Sequence, residues 1–371
     1  MRPNSGTVRS PLLACCALTQ HQDLRCPRSR KHIWVPAGDA GVGINGFGVI
    51  AGSTRDNNSV RHGFLRYPNG KFEVFDHPLA GTDGSLGQGT RVAGLNALGA
   101  VAGSVRTPVT VGIPFVRDPD GIFHNVDFPN FAGGDGNAIN LWGVMVGNLL
   151  LTTDNNSPAF LHFHGFILQP SGKLTLFDPP GSQETDIPTY SINDFGVITG
   201  DYWTCNADLS SCAVHGFVRT PDGKYKSFDV SGASADGLDG GGTFPQGIND
   251  LGEVSGYYVD ANFVFHGFVR SPDGHITTFD VRTTCTETPN PPADCAFEGT
   301  FASNVNVVEG SAGRITVRMA THTVSGGTRM APSRDLTIRA RTTSRSQTPS
   351  MTRGRSLESS TTPIWWCTVS W

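Results

Sequence analysis

A histidine recurs at one position of this sequence, and an aspartate follows it 14 residues later each time. The histidines are His62, His164, His215 and His266, and the aspartates, which recur every 51 residues, are Asp76, Asp127, Asp178, Asp229 and Asp280. Histidine and aspartate can act together in acid–base catalysis. Catalytic groups are normally unique in a chain, whereas these repeat. We therefore interpret them as buried, hydrogen-bonded structural braces and predict no catalytic residue among them.

A second imidazole accompanies one of these histidines. His162 and His164 are two residues apart, so on a strand both side chains point to the same face. Such a pair could begin a metal site, but the sequence shows no third ligand beside it. A hydrogen-bonded histidine pair is favoured over a metal centre, and we expect neither a metal ion nor another cofactor.

Some acidic residues between the repeats do not recur, namely Glu184, Asp186, Glu287, Asp294 and Glu298. Two of them could act as acid and base in a glycosidase-like propeller. Solvated loop charges are the more common explanation. The sequence contains no G-x-S-x-G elbow, H-E-x-x-H motif or P-loop. Non-catalytic binding is therefore favoured, with a glycosidase as the alternative.

Gly41, Gly43 and Gly46 have the spacing of a dinucleotide-binding loop, G-x-G-x-x-G. The residues that follow are β-branched and loop-like, whereas that loop requires a helix. The stretch also recurs as INGFGVIAG, LNALGAVAG, INLWGVMVG, INDFGVITG and INDLGEVSG at 44–52, 95–103, 139–147, 192–200 and 248–256. It is a repeated turn, and the nucleotide interpretation is excluded.

Strands must position all of these residues. HGFVRTPDG at 215–223 recurs as HGFVRSPDG at 266–274, and related copies lie at 62–70, 113–121 and 164–172. Each repeat contains four strand-like pieces joined by short glycine turns; in the fifth they are TFPQGIN, EVSGYYV, VFHGFVRS and HITTFDV. A period of about 50 residues with four strands predicts an all-β, β-propeller-like fold with an incomplete set of blades, and a β-solenoid is the alternative.

The repeated unit, G-I-N-D-x-G followed by H-G-F-x-R-x-P-D-G and F-D, resembles the bacterial extracellular HAF repeat. The resemblance covers about residues 39–325, although the core here is His-Gly-Phe and the second copy has Ile113-Pro114-Phe115. It implies export from a bacterial cell. It implies no particular ligand or reaction.

Two cysteine pairs also indicate an exported protein. Cys205 and Cys212 enclose one short loop, and Cys285 and Cys295 enclose another. No histidine is placed to complete a zinc site around either pair, so we predict two disulfides, which form in oxidising compartments.

Charge restricts the partners. Residues 34–313 contain 13 Lys and Arg against 29 Asp and Glu, so this region repels nucleic acid and anionic membrane. No apolar run is long enough to span a membrane. We expect an extracellular glycan or a surface protein as partner. It would bind through connections on one face of the propeller, at 53–61, 104–112, 148–161, 201–214, 257–264 and 282–297.

Three segments are expected. Residues 1–32 are non-globular or misassigned, because the apolar stretch before Cys15 is too short for a signal peptide. Residues 33–325 hold five full repeats and part of a sixth, and IWVP at 33–36 resembles the last strand of a preceding blade. Residues 326–371 form a basic, disordered tail, which we interpret as out-of-frame translation. When the codons of residues 364–370 are read from their third base, the two Trp codons can only encode Val-Val in the new frame. The bases that follow allow His-Gly-Phe, the core of the repeat.

Overall fold

The computed structural model describes residues 40–108, 112–152, 162–206, 210–237, 240–280 and 299–308, together with four later strands. Its first twenty strands form five four-stranded blades. Blade 1 contains β1 (Ala40–Ile44), β2 (Ile50–Arg55), β3 (Arg61–Arg66) and β4 (Phe72–Phe75). Blade 2 contains β5 (Gly89–Leu95), β6 (Val101–Arg106), β7 (Ile113–Arg117) and β8 (Phe123–Asn125), and a short 3-10 turn at Gly84–Leu86 precedes it.

The remaining blades repeat this order. Blade 3 contains β9 (Phe131–Ile139), β10 (Met145–Leu151), β11 (Phe163–Leu168) and β12 (Leu174–Phe177). Blade 4 contains β13 (Glu184–Asp186), β14 (Ile198–Cys205), β15 (Cys212–Arg219) and β16 (Tyr225–Phe228). Blade 5 contains β17 (Gly242–Ile248), β18 (Val254–Val259), β19 (Phe265–Arg270) and β20 (Ile276–Phe279).

Within each blade, consecutive strands pair antiparallel. The first strand of a blade packs against strands of the preceding blade. The predicted all-β, β-propeller-like fold with four-stranded blades is therefore confirmed, and the strands of blade 5 match the four predicted pieces to within a few residues. Among the described residues, no helix has the length and apolarity needed to cross a membrane.

A further sheet follows blade 5. It contains β21 (Gly299–Val308), β22 (Arg314–His322), β23 (Arg334–Arg339), β24 (Ser350–Arg355) and β25 (Trp365–Ser370). The backbone of β21 joins blade 5 through a parallel bridge between Phe265 and Gly299. The pairing of these strands does not test whether residues 326–371 are translated out of frame, so that interpretation stays a prediction. Residues 1–39, including the predicted blade strand at 33–36, lie outside the described residues.

The recurring phenylalanine of the third strand forms the core of every blade. Phe64, Phe115, Phe166, Phe217 and Phe268 are all buried. Each lies directly opposite a second-strand glycine; Gly200, for example, pairs with Phe217. A β-carbon at Gly200 would meet both the Phe217 ring at 3.0 Å and a first-strand carbonyl, so only glycine fits beneath the ring.

The glycine of the His-Gly-Phe motif has a similar origin. A β-carbon on Gly216 would lie 2.8 Å from the ring of Phe228, which ends the fourth strand. Blade 2 is the exception, because Pro114 occupies the glycine position and Val126 the position of the fourth-strand phenylalanine. His77 packs beside them, with its ring 5.3 Å from that of Phe115 and its Nε2 2.7 Å from Asn125 Oδ1.

The recurring arginine at the end of the third strand joins neighbouring blades. Arg117, Arg219 and Arg270 each place the guanidinium 4.5 to 5.0 Å from the centre of a phenylalanine ring in the preceding blade. Such cation–π contacts stabilise by about 1–2 kcal/mol when they are shielded from water.

The recurring asparagine makes a second link between blades. Its Oδ1 accepts two backbone N–H groups and closes the turn after the first strand, as Asn140 does for Trp142 and Val144. Its Nδ2 donates to the backbone carbonyl of the corresponding asparagine in the next blade. The series runs from Asn45 to Asn96, Asn140, Asn193 and Asn249 at 2.9 to 3.4 Å. The stretch that contains Gly41, Gly43 and Gly46 thus leads into this structural turn.

Because the strands run up and down, the connections divide between two faces. The asparagine turns and the P-D-G turns lie on one, which we name the turn face. The connections between the second and third strands, and between blades, lie on the other, which we name the loop face. Strands extend into each of the connections predicted at 53–61, 104–112, 148–161, 201–214 and 257–264. The predicted connection at 282–297 lies outside the described residues.

Candidate ligand-binding face

The recurring histidine and aspartate are hydrogen-bonded in each blade that has both. The Nδ1 atoms of His62, His164, His215 and His266 lie 2.6 to 3.0 Å from an oxygen of Asp76, Asp178, Asp229 and Asp280, respectively. Each pair lies at the loop face, since the histidine is near the start of the third strand and the aspartate follows the fourth. The expectation of buried braces is wrong in one respect, because all four pairs are partly exposed. Blade 2 has Asp127 but Ile113 in place of the histidine.

The other ring nitrogen has an aspartate neighbour in blades 1 and 5 and a threonine neighbour in blade 4. His62 Nε2 lies 3.8 Å from Asp56 and His266 Nε2 lies 3.5 Å from Asp260, whereas His215 Nε2 lies 3.0 Å from the Thr204 hydroxyl. Burial acts to lower the pKa of His266. The hydrogen bond to Asp280 and the charges of Asp280 and Asp260 outweigh this, so its pKa is raised above its ordinary value.

Blade 3 brings a third group to the histidine pair. The rings of His162 and His164 stack with centres 4.3 Å apart. Asp178 joins them, and one potential ligand atom from each of the three residues lies within 4.8 Å of the other two. No third ligand was evident from the sequence, because Asp178 is the repeat aspartate of this blade and was interpreted only as the partner of His164.

Arginines gather where blades 1 and 2 meet at the loop face. Arg55 lies directly opposite Arg61 on adjacent strands, and Arg61 bridges in parallel to Gly89. Gly89 in turn lies opposite Arg106, and Arg91 follows two residues along β5. We name Arg55, Arg61, Arg91 and Arg106 the arginine cluster. A β-carbon on Gly89 would collide with the Arg61 carbonyl, so glycine lets the two blades approach this closely.

The arginines of the cluster repel one another. Burial and the nearby charges of Arg106, Arg55 and Arg91 lower the pKa of Arg61 to about 10, against the opposing effect of Asp135. Asp135 also lies 3.4 Å from Arg91, and the Ser104 hydroxyl donates to it. Like charges on opposing strands destabilise a sheet. An anion at this site would offset that repulsion.

Solved structures to which this chain is similar include lectins. The SapL1 lectin in complex with α-methyl fucoside is 11% identical with a TM-score of 0.39, over 78% of this chain and 94% of that chain. A mutant of AofleA from Arthrobotrys oligospora is 10% identical with a TM-score of 0.40, over 78% and 80%. The Aleuria aurantia lectin, described as a six-bladed β-propeller with a novel fucose recognition mode, is 12% identical with a TM-score of 0.37, over 74% and 84%.

Likeness at these TM-scores carries neither ligand nor activity to this chain. No protein-family model matches the sequence, and no curated protein matches it. The function is therefore argued from the chain's own residues.

The non-repeating carboxylates are not all loop residues. Glu184 and Asp186 were expected in a connection between blades but lie on β13, because the first strand of blade 4 begins at Glu184. Glu184 is only 3% exposed, and Asp186 accepts a hydrogen bond from Asn148. Glu287, Asp294 and Glu298 lie outside the described residues.

One cysteine pair lies at the loop face. Cys205 ends β14, Cys212 begins β15, and the two form a disulfide across the hairpin. The predicted Cys285–Cys295 bond lies outside the described residues.

The turn face has a different surface. The residue two positions after each recurring asparagine is large, apolar and 57 to 74% exposed. These residues are Phe47, Leu98, Trp142, Phe195 and Leu251. These exposed side chains were not predicted from the sequence, because the recurring turn indicated only a structural role.

Proposed function

We propose that this chain is an exported, non-catalytic β-propeller that binds an anionic extracellular glycan at the loop face. The arginine cluster supplies the main binding charge. Uronate and sulfate groups are the anions that such a glycan would present. The observation that carries the proposal is the concentration of four arginines at one junction of a region, residues 34–313, that is otherwise acidic.

The contrast in charge supports a specific site. Residues 34–313 contain only 13 basic residues, and four of them form the arginine cluster. The remaining surface of this region is acidic and repels a polyanion. An anionic ligand is therefore directed to the junction of blades 1 and 2 by its electrostatic field.

The chemistry of arginine suits the ligand. A guanidinium group forms paired hydrogen bonds to carboxylate and sulfate oxygens, and such charge-assisted bonds are about twice as strong as neutral ones. Partial burial increases their strength because water screens them less. The rigid blades hold the cluster in place, so little conformational entropy is lost on binding.

Two further parts of the proposal rest on sequence and on covalent structure. The resemblance to the HAF repeat supports a bacterial, extracellular protein. The Cys205–Cys212 disulfide supports an oxidising compartment.

The test is calorimetric titration of the purified chain with heparin, polygalacturonate and neutral dextran. We expect binding to one or both polyanions and none to dextran. Arg55→Gln and Arg61→Gln should each weaken it by about tenfold, which corresponds to about 1.4 kcal/mol. Arg66→Gln is the matched control, because Arg66 lies on the same strand as Arg61 but at the turn face.

Other results would overturn the proposal. Failure of both polyanions to bind, or equal losses from Arg61→Gln and Arg66→Gln, would remove the assigned site. Loss of binding in Phe195→Ala alone would assign the ligand to the turn face. Release of reducing ends from a glycan that stops in Glu184→Gln would identify a glycosidase.

A further inference from the structure

Blade 3 contains an imidazole that the repeat does not require. The residue two positions before the repeat histidine is Val60 in blade 1, Ala213 in blade 4 and Val264 in blade 5. Val60 and Val264 are 6% and 1% exposed, so this position normally fills an apolar space. In blade 3 it is His162. A departure from the repeat that replaces a core valine with a metal-binding side chain needs an explanation other than packing.

The geometry around His162 gathers a ligand set. The rings of His162 and His164 stack, and His164 Nδ1 lies 2.6 Å from Asp178 Oδ2. One nitrogen from each histidine and one Asp178 oxygen lie within 4.8 Å of one another. Ligand atoms at about 2.0–2.1 Å from a tetrahedral zinc ion lie about 3.3–3.4 Å from one another. Side-chain rotations that bring the most distant atoms closer by about 1.5 Å would therefore let all three reach one ion.

The carboxylate is already oriented for this role. Asp178 Oδ1 accepts a hydrogen bond of 2.7 Å from the hydroxyl of Thr185, which is fully buried. Hydrogen bonds of this kind commonly fix a metal ligand in place.

We propose that His162, His164 and Asp178 bind a divalent transition-metal ion, with Zn²⁺ as the first choice. Imidazole favours zinc, copper, nickel and iron over Mg²⁺ and Ca²⁺, which prefer oxygen ligands. Three protein ligands leave a coordination position for water or for an oxygen of a bound ligand. The site lies in blade 3, so it is independent of the arginine cluster between blades 1 and 2.

The experiment uses the full chain, purified without a histidine tag and treated with a chelator. Calorimetric titration with ZnCl₂ should show a site that His162→Val weakens by at least about tenfold. Valine is the native residue at this position in blades 1 and 5, so this variant should keep its fold, which circular dichroism checks. Asp178→Asn should weaken binding as well. Titration with Co²⁺ should give visible absorption bands of a tetrahedral site, which His162→Val abolishes.

Two matched controls use the other blades. Ala213→Val in blade 4 changes the equivalent position without adding a ligand, and zinc binding should be unchanged. Val264→His adds the second imidazole beside His266 and Asp280, and it should create an additional zinc site. Absence of zinc binding in the wild type, or equal binding by the folded wild-type and His162→Val proteins, would overturn the proposal.

Discussion

The side-chain amide of Asn140 donates a 3.1 Å hydrogen bond to the backbone carbonyl of Asn193, across the boundary between blades 3 and 4. The same side chain accepts two backbone N–H groups within its own turn. One residue thus closes a hairpin and attaches its blade to the next. This double role explains why asparagine, and not serine or aspartate, recurs at the position.

Asn140→Ala should destabilise the protein strongly. Asn140 is 4% exposed, and its loss removes the side-chain partner of the Trp142 and Val144 N–H groups and one of the two donors to the Asn193 carbonyl. We expect the free energy of unfolding to fall by about 2–4 kcal/mol. The measurement is chemical denaturation, with Asn69→Ala as control, because Asn69 is exposed and accepts one local bond. Equal effects of the two substitutions would show that the hydrogen bonds between the recurring asparagines do not hold the blades together.

Gly216→Ala should destabilise blade 4 by overpacking. Its β-carbon would lie 2.8 Å from the Phe228 ring and 2.9 Å from Pro245, which costs about 1–3 kcal/mol. Blade 2 suggests the remedy, because it combines Pro114 with Val126, which stands at the position of Phe228 and donates its N–H to the Pro114 carbonyl. The double variant Gly216→Ala/Phe228→Val should therefore lose less stability than the sum of its two single variants in a thermal melt. Simple additivity would contradict this account of the motif.

The fold was predictable from the sequence because each structural residue recurs at a fixed interval. Phe217, Gly200 and Asn193 of blade 4 have counterparts with the same structural role in the other blades, so the repeat was enough to identify the blades. The sites were less predictable for the opposite reason. Arg61 and Arg106 are 45 residues apart and meet only through the bridge at Gly89, and no periodic pattern indicates that contact. His162 was visible but was judged apart from Asp178.

His266 should make stability depend on pH. Its folded pKa is raised above 6.5, chiefly through Asp280 and Asp260 against the opposing effect of burial. The protonated ring therefore stabilises the fold fully below about pH 6.5, and this contribution is lost as pH rises through the folded pKa. The stability difference between wild type and His266→Gln should shrink between pH 6 and pH 9. NMR titration of the ring provides a direct check. Asp260→Asn should lower its pKa, and an NMR pKa at or below 6.5 would contradict the prediction.

Polyanion binding should weaken as salt is added. Between about 0.1 and 1 M ionic strength the Debye length falls from about 10 to about 3 Å, which screens the field of the arginine cluster. The dissociation constant should rise steadily in a NaCl series, and it should rise less steeply for Arg61→Gln. Binding that is insensitive to salt would show that uncharged contacts dominate.

The Cys205–Cys212 bond should stabilise blade 4. The cysteines are register partners at the end of the β14–β15 hairpin, with a sequence separation of 7. Closing so short a loop restricts the unfolded chain and contributes roughly 2–3 kcal/mol on the chain-entropy model. The double variant Cys205→Ala/Cys212→Ala should therefore melt at a lower temperature than the oxidised wild type. A reductant should lower the melting temperature of the wild type more than that of the variant, which isolates this bond from the predicted Cys285–Cys295 pair. Peptide mapping without reduction provides the covalent check, and free thiols at Cys205 and Cys212 in protein prepared under oxidising conditions would contradict it.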